Sequence, residues 1–266
     1  MIVEILCIGT ELLSGITLNT NAYWLCREIT NVGGLVRRVI VVQDDLNDIS
    51  SAARESLARK PNILITTGGL GATYDDITFE ALAAALHKKV VLDSRAVEML
   101  KKSYARHKLY YELTEPRLKM ATIPEGSTPI QNPVGSAPAI MEEAGGIWIF
   151  CLPGVPSEMK AIFKEHILPR IKKSVGRFVA EERSYNTRGL TEAMIAPVLI
   201  EIVKSYPKNM IYLKTHPRGY HRKKTPQIEI QMISRGGNKK EVKNRLSGIS
   251  KIIEKEIAKR GGVIIC

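Results

Sequence analysis

The stretch ILITTGGLGATYDDIT, residues 63 to 78, joins an apolar run to a loop with three glycines and two adjacent carboxylates. The β-branched residues over 62–67 predict a buried strand, and the pattern over 76–87 predicts a helix. Glycines at such a junction free the backbone to present successive N–H groups to an anion. A helix that begins near Asp76 would direct its positive end at the same place. The stretch therefore predicts a strand–loop–helix unit with a phosphate site.

The same alternation of strand and helix extends on both sides of this stretch. The predicted strands are 2–8, 35–42, 62–67, 139–142 and 147–152, and the predicted helices are 20–32, 46–59, 76–87, 94–107 and 156–172. This order is typical of a three-layer α/β fold, in which helices cover both faces of a parallel sheet. We therefore predict an α/β domain with a parallel sheet over residues 1–172.

The last third of the chain carries the whole net charge of +12. Residues 1–172 hold 19 Lys and Arg against 19 Asp and Glu, whereas residues 173–266 hold 20 against 8. Strands at 178–186, 210–215 and 227–233 and helices at 191–204 and 239–260 are predicted there. These elements indicate a small α+β domain over 177–266, with the boundary at 172–176. Its basic charge suggests that it faces something anionic.

Composition places the chain among ordinary folded proteins. Of its 266 residues, 44% are hydrophobic and 25% are charged, and no apolar run is long enough to span a membrane. The first residues have no basic leader and are expected to form a strand, so a cytoplasmic location is expected. Cys7, Cys26, Cys151 and Cys266 lie far apart without C-x-x-C spacing, which favours reduced thiols over a zinc site.

Four loops follow predicted strands, where open α/β sheets bind ligands. They lie within residues 8–21, 42–49, 66–78 and 132–158, and small residues in them permit close backbone approach. The predicted phosphate- or nucleotide-binding residues are Thr10, Asn19, Asn21, Thr67, Gly68, Gly69, Leu70, Gly71, Asn132, Gly135, Ser136, Ala137, Pro153 and Gly154. Asn19 or Thr20 could instead cap a helix, and Glu11 could be a plain surface charge. The loop at 66–78 is no nucleotide P-loop, because the chain has no Gly-Lys dipeptide.

The adjacent carboxylates of Asp75 and Asp76 conflict with a phosphate site unless a cation lies between them. Either aspartate could simply cap a helix. A divalent ion such as Mg²⁺, held by one or two carboxylates and by substrate phosphates, removes the conflict. We predict that Asp44, Asp75 and Asp76 hold the metal, which could be Mg²⁺, Mn²⁺ or Co²⁺. Asp75, Asp76 and Glu11 are the predicted catalytic residues, with Glu11 as a general base or second metal contact.

The motifs GTELLSGITLNTN, TTGGLGATYDDIT, NPVGSAPAI and LPGVPSEMKAIF, in this order and spacing, resemble the amino-terminal part of the CinA (competence/damage-inducible) family. That part belongs to the wider family of molybdopterin-binding, molybdenum cofactor biosynthesis domains. The resemblance covers about residues 1–172 and departs at Ala72, where the family usually has proline. The basic domain resembles more weakly the KH-type segment of the same family. It lacks the G-x-x-G by which KH modules clamp RNA.

The resemblance implies a metal-dependent ADP-ribose pyrophosphatase that forms AMP and ribose 5-phosphate. It also implies self-association, with a dimer as the expected state. Full-length relatives carry a further domain that deamidates nicotinamide mononucleotide, and we expect no such activity here. In the molybdenum-cofactor relatives an aspartate at the position of Asp76 supports adenylyl transfer.

Two other functions stay open at this point. The first is a molybdopterin- or nucleotide-binding protein, or an adenylyltransferase of cofactor synthesis, without hydrolytic turnover. The second is nucleic-acid binding through KTHPRGYHRKK, residues 214–224, where basic groups alternate with Tyr220, His216 and His221. A solvated hairpin is the commoner reading of such a basic loop, and nucleic acid is therefore not the expected partner. The expected partner is a phosphate-bearing small molecule.

Overall fold

A computed structural model describes residues 1–106, 112–207, 209–221 and 225–265, with the backbone alone for residues 220 and 221. The chain divides into two compact units, Met1–Val175 and Gly176–Cys266. Each unit has its own sheet and its own buried core. Predicted residues 107, 222, 223, 224 and 266 lie outside the described part.

The first unit alternates strands and helices as its sequence predicts. Its strands are β1 (Ile2–Ile8), β2 (Leu35–Val42), β3 (Ile63–Thr67), β4 (Val90–Leu92), β5 (Thr122–Pro124), β6 (Thr128–Ile130), β7 (Ala139–Ala144) and β8 (Ile147–Leu152). Its helices are α1 (Thr10–Leu13), α2 (Thr20–Asn31), α3 (Leu46–Ala58), α4 (Thr78–Ala85), α5 (Ser94–Arg106), α6 (Glu115–Lys119), α7 (Pro156–Ile162) and α8 (Leu168–Val175). A π-helical turn, Phe163–Ile167, joins α7 to α8. The short elements α1, α6, β4, β5 and β6 were not predicted, because three to five residues give no readable periodicity.

The main sheet has the strand order β2-β1-β3-β8-β7-β6. Its first four strands are parallel, whereas β7 and β6 are antiparallel to their neighbours. The turn at Gly145–Gly146 forces this reversal, since a two-residue connection can join only antiparallel strands. The predicted parallel sheet is therefore a mostly parallel sheet with an antiparallel edge.

Helices cover both faces of this sheet. Leu25 and Ile29 of α2 and Phe163 of the π-helical turn pack on one face, against β1, β3 and β8. Ile49 of α3 and Leu82 of α4 pack on the other face of the same strands. The central strands are buried on both sides, which is why they read as continuous apolar runs. The predicted three-layer α/β fold is confirmed.

One helix begins later than its sequence predicts. Helix α4 starts at Thr78 instead of Asp76, because the carboxylates of Asp75 and Asp76 bond back to Thr73 and hold a separate turn. The backbone N–H of Thr78 donates to the carbonyl of Gly69 at 3.2 Å. The first N–H of the helix is thus used by the glycine loop itself.

The second unit is a four-stranded antiparallel sheet with helices on one face. Its elements are β9 (Val179–Arg188), α9 (Glu192–Lys204), β10 (Ile211–His221), β11 (Thr225–Gly236), α10 (Lys239–Lys259) and β12 (Val263–Ile265), and the strand order is β10-β11-β9-β12. Ile195 and Leu199 of α9 and Ile249 of α10 pack against Ile230 and Met232 of β11. The predicted small α+β domain is confirmed.

Strand β10 extends six residues beyond its predicted end at Thr215. Pro217 and Gly219 suggested a loop in the sequence, but β10 is an edge strand, where proline is tolerated. A register shift between these two residues absorbs the irregularity. Much of the predicted basic loop therefore pairs with β11.

The described cysteines are free thiols. Cys7 and Cys151 are buried in the sheet, and Cys26 is half-buried. Burial raises the pKa of the Cys7 thiol, and it raises the pKa of the Cys151 thiol to about 12. Among the described residues, no helix combines the length and the apolar character needed to cross a bilayer.

A fully buried carboxylate stands in the centre of the sheet. Glu4 of β1 is 0% exposed, and the guanidinium of Arg59, just after α3, donates to both of its oxygens at 2.8–3.2 Å. Removal of the Arg59 side chain would leave a charge without its partner in an apolar interior. The ion pair therefore ties α3 to the strand that leads to the first loop.

We expect Arg59→Met to lower the free energy of unfolding by about 3 kcal/mol, because it breaks a buried pair on one side only. Lys101→Met is the matched control, since Lys101 pairs with Glu98 at the surface, and it should cost less than about 0.5 kcal/mol. Urea denaturation of the three proteins measures both values. Equal losses in the two variants would contradict the role of Glu4 and Arg59.

Candidate functional site

Three neighbouring parallel strands end at one place. The carboxyl ends of β1, β3 and β8 are Ile8, Thr67 and Leu152. The backbone N–H of Gly68 donates to the carbonyl of Leu152 at 3.0 Å, so the glycine loop leaves the sheet against the end of β8. This edge is where open α/β sheets bind their ligands.

Gly68 and Gly69 have backbone conformations that other residues rarely adopt. Their φ angles are +106° and +66°. A Cβ on Gly68 would lie 2.2 Å from the carbonyl oxygen of Ile8, and a Cβ on Gly69 would lie 2.3 Å from Oγ1 of Thr78. The Thr78 hydroxyl in turn donates to the carbonyl of Gly68 at 2.8 Å. The loop is thus fixed by close backbone approach, for which glycine is required.

A cavity of about 580 Å³ opens over these strand ends. It is lined by Ile8, Gly9, Glu11, Asp44, Gly68, Gly69, Leu70, Gly71, Thr73, Asp75, Asp76, Gly135, Ser136, Ala137, Pro153, Gly154, Val155 and Glu158. Residues from all four loops therefore meet at one site. Every predicted catalytic or metal-binding residue lines this cavity.

Five predicted binding residues do not line the large cavity. Asn19, Asn21 and Thr67 line an adjoining pocket of about 110 Å³ at the start of α2. The side chain of Asn21 donates to the carbonyl of Gly154 at 2.7 Å, and its buried Oδ1 has no hydrogen-bond partner among the described residues. Asn19 caps α2 by accepting a hydrogen bond from the N–H of Ala22. This confirms the alternative prediction that Asn19 caps a helix.

Asn132, the fourth of these residues, is fully buried and supports the loop behind the cavity. Its Oδ1 accepts from the N–H groups of Val134 and Gly135, and its Nδ2 donates to the carbonyl of Ala137 at 2.9 Å. Nδ2 also donates to Oε2 of Glu158 at 2.7 Å. Asn132 thus positions the loop and Glu158, and it does not face the cavity.

Glu158 is a cavity residue that the sequence did not single out. It lies in the first turn of α7, and a Cβ on Gly135 would be 2.2 Å from its carboxylate carbon. The first-turn position looked like ordinary helix capping. Only the fold brings the loop at Asn132 against this helix.

Thr10, the fifth of these residues, joins the first two loops instead of facing the cavity. Its N–H and its hydroxyl both donate to Oδ2 of Asp44, at 2.8 and 3.0 Å. The neighbouring Asp45 caps α3 by accepting from the N–H groups of Asn47 and Asp48. One aspartate of this loop thus caps a helix, and the other lies at the cavity.

The aspartates after the glycine loop converge on Thr73. The Thr73 hydroxyl lies 2.5 Å from Oδ1 of Asp75 and 2.5 Å from Oδ2 of Asp76, and its N–H donates to the same Oδ2 at 2.9 Å. Lys119 donates to the Thr73 carbonyl at 2.7 Å. The hydrogen bond from Thr73 and the charge of Lys119 hold the pKa of Asp75 below its usual value.

The cavity is strongly acidic. Its described lining includes five carboxylates, those of Glu11, Asp44, Asp75, Asp76 and Glu158, and no Lys or Arg. Yet in the described part of the chain no three His, Cys, Asp or Glu side chains are grouped closely enough to hold a metal ion. Asp44, Asp75 and Asp76 therefore line one cavity without forming a three-ligand metal site.

The comparison with known families decides what this architecture is. A family model described as "probable molybdopterin binding domain" matches residues 4–173.

The chain belongs to the molybdopterin-binding domain family.

Relatives of this protein match over nearly its whole length. A protein of Sulfurisphaera tokodaii is 42% identical over 262 residues, which are 98% of this chain and 97% of that protein. A protein of Pyrobaculum aerophilum is 42% identical over 246 residues, 92% of this chain and 90% of that protein. The crystal structure of the protein CinA, of unknown function, from Thermoplasma acidophilum is 39% identical with a TM-score of 0.58. That match covers 66% of this chain and 99% of the other. The resemblance carried by the four loops is confirmed.

Two described side chains of the basic region at 214–224 have partners on the neighbouring strand. Of its described side chains, Arg218 pairs with Glu229, and His216 lies 3.3 Å from the side-chain oxygen of Gln231. Gln231 also donates to Glu182 at 2.6 Å. Acidic and amide groups on the neighbouring strands thus accompany Arg218 and His216.

We expect Gly68→Ala to destabilise the protein by about 3 kcal/mol or more, because its Cβ would collide with the carbonyl of Ile8. Gly145→Ala is the matched control: its φ is also positive, at +56°, but no atom lies within 4 Å of the added Cβ. It should cost about 1 kcal/mol from backbone strain alone. Urea denaturation measures the difference, and equal costs would contradict the close approach at Gly68.

We expect Thr73→Val to raise the pKa of Asp75 towards its ordinary value of 3.8, because the hydroxyl that stabilises the carboxylate is lost. A carboxyl whose pKa is lower in the folded state than in the unfolded state stabilises the fold at any pH above the unfolded-state pKa. That stability is lost as the pH falls through the folded-state pKa. The variant should therefore lose less stability below pH 3.8 than the natural protein. Carboxyl NMR titration checks the pKa, with Thr114→Val as the control, since Thr114 makes no side-chain cap. An unchanged pKa in Thr73→Val would contradict this role.

Proposed function

We propose that this protein hydrolyses the diphosphate of a nucleotide, with ADP-ribose as the leading candidate, in a reaction that requires a divalent cation. The observation that carries the proposal is the juxtaposition of a glycine loop at three strand ends with five carboxylates in one cavity. Backbone amides suit phosphate oxygens. Carboxylates repel phosphates unless a cation neutralises them. A diphosphate bound together with a metal ion satisfies both groups.

The residues around Thr73 fit a hard divalent cation such as Mg²⁺, Mn²⁺ or Co²⁺. A hydroxyl carries a single hydrogen, so Asp75 and Asp76 compete for the one on Thr73. A cation at these oxygens would relieve that competition. Asp75 and Asp76 would hold it, and the small number of protein ligands suits Mg²⁺, which keeps waters and substrate phosphates in its shell. When bound, such a cation neutralises charge on the diphosphate and lowers the pKa of the attacking water.

The protein's own groups would bind the substrate and move a proton. The loop at 68–71 would hold the phosphates, and Glu11, which also lines the cavity, would accept the proton of the attacking water. The water oxygen bonds to one phosphorus while the bridging P–O bond breaks. AMP and ribose 5-phosphate leave as the two products.

A second candidate function is binding of a pterin phosphate, or adenylyl transfer to it, without hydrolysis. The family match over residues 4–173 favours it, since that family is described by molybdopterin binding. The same glycine loop and the same aspartates would serve a pterin phosphate. Tight retention of molybdopterin, without release of AMP from ADP-ribose, would select this function over the first.

The test is incubation of the full chain with ADP-ribose and Mg²⁺, Mn²⁺ or Co²⁺ in turn, with AMP measured by chromatography. We expect metal-dependent release of AMP that a chelator abolishes. Asp76→Asn should lower kcat by about two to three orders of magnitude, as loss of charge stabilisation at such a centre does. Glu98→Gln is the control, because Glu98 is an exposed carboxylate paired with Lys101 on α5, and its rate should equal that of the natural chain.

Two results would overturn the hydrolase proposal. One is full metal-dependent turnover by a folded Asp76→Asn variant, which would remove the assigned role of that carboxylate. The other is no AMP with any of the three metals.

A further inference from the structure

A second concavity lies on the other side of the acidic loop. It is a groove of about 520 Å³, and its lining includes Ala72, Tyr74, Leu92, Pro116 and Leu118. Tyr74 is 91% exposed and Leu92 is 54% exposed, so both offer apolar surface that no described part of the chain covers. Neither residue has a role in the site described above.

The groove and the cavity share the lining residue Thr73. Thr73 lines both, and its hydroxyl contacts the carboxylates of Asp75 and Asp76. Tyr74 stands between Thr73 and Asp75 in the chain. A single ligand that lies across residues 73–75 would thus have phosphates beside the aspartates and its other end in the groove.

The chemistry of the groove fits a flat heterocycle. A tyrosine ring and aliphatic side chains suit the face of a base, because base–aromatic stacking needs only the π surface. Glu115, Lys119 and Thr122 also line the groove and supply the few polar groups that such pockets use for orientation. Lys119 is held in place by its bond to the Thr73 carbonyl.

We propose that this groove is the base-binding subsite, and that the ring of Tyr74 stacks on the heterocyclic base of a nucleotide whose phosphates occupy the cavity. The inference rests on the proposed phosphate-binding function and narrows the range of ligands that the site would accept. The ligand is a base-bearing nucleotide, not a sugar phosphate or an inorganic diphosphate. Tyr74 is then a specificity residue that takes no part in bond breaking.

The experiment compares the affinities of AMP and ribose 5-phosphate for the full chain with Mg²⁺, by isothermal titration calorimetry. These ligands share the ribose phosphate and differ in the base. We expect Tyr74→Ala to weaken AMP binding about 5- to 100-fold, the usual range for loss of one stacking partner, and to leave ribose 5-phosphate unchanged. Tyr74→Phe, which keeps the ring, should bind AMP as the natural chain does.

Tyr23→Ala is the matched control, because Tyr23 is a 65% exposed tyrosine on α2 whose ring contacts Arg27 and does not line the groove. It should leave both affinities unchanged. AMP affinity within twofold of the natural chain in Tyr74→Ala would overturn the proposal, and so would equal weakening of both ligands. Equal affinity of the natural chain for AMP and ribose 5-phosphate would also overturn it.

The same variants separate this inference from the proposed hydrolysis. The natural chain could release no AMP from ADP-ribose while Tyr74→Ala weakens AMP binding. That result would support the base-binding role of the groove and contradict the hydrolase function. If hydrolysis occurs and the KM for ADP-ribose is unchanged in Tyr74→Ala, the hydrolase function is supported and the base-binding role of the groove is contradicted.

Discussion

The contact between the backbone of Gly68 and the carbonyl of Ile8 is the constraint on which the site depends. The two strands β1 and β3 are neighbours in the sheet, so their carboxyl ends arrive together. The chain can turn there only if the first residue after β3 has no side chain. The turn then directs residues 68–76 across the strand ends, and the loops after β1, β2 and β8 close around it. The course of the glycine turn along the cavity is thus set by one packing requirement.

The second unit has a different arrangement of sheet and helices from the first. Its sheet is antiparallel, its helices lie on one face, and its open face carries mixed charges that pair across strands. Some basic groups of this third of the chain are therefore paired with carboxylates, as Arg218 is with Glu229. Net charge alone does not identify a binding surface, because it counts residues without their neighbours.

The fold was largely predictable from the sequence, and the site only in part. The apolar pattern of segments such as β1, β3 and α3 identifies them as strands or helices, and the alternation of the two implies the parallel sheet. The glycine loop and its aspartates also stand out. What the sequence could not reveal is which side chains of distant loops meet. Glu158 looked like a helix cap until Asn132 was brought against it, and Asn132 looked like a ligand contact until its bonds were seen. The start of α4 was wrong because Asp75 and Asp76 prefer Thr73 to the helix backbone.

The described lining of the cavity contains carboxylates and no Lys or Arg, and this has a kinetic consequence for the proposed reaction. A free diphosphate that approaches five carboxylates meets a repulsive field, whereas the same diphosphate chelated by a divalent ion has lost most of its charge. The chelate would therefore enter faster than the free anion, and the order of association would favour a preformed complex of nucleotide and metal. The carboxylates would have the opposite effect on the products and favour their release. Under the proposed hydrolysis, each product would hold the metal less tightly than the diphosphate does, and the carboxylates would help to expel it. Under the proposed function, this acidic cavity would bind its substrate in one charge state and release its products in another.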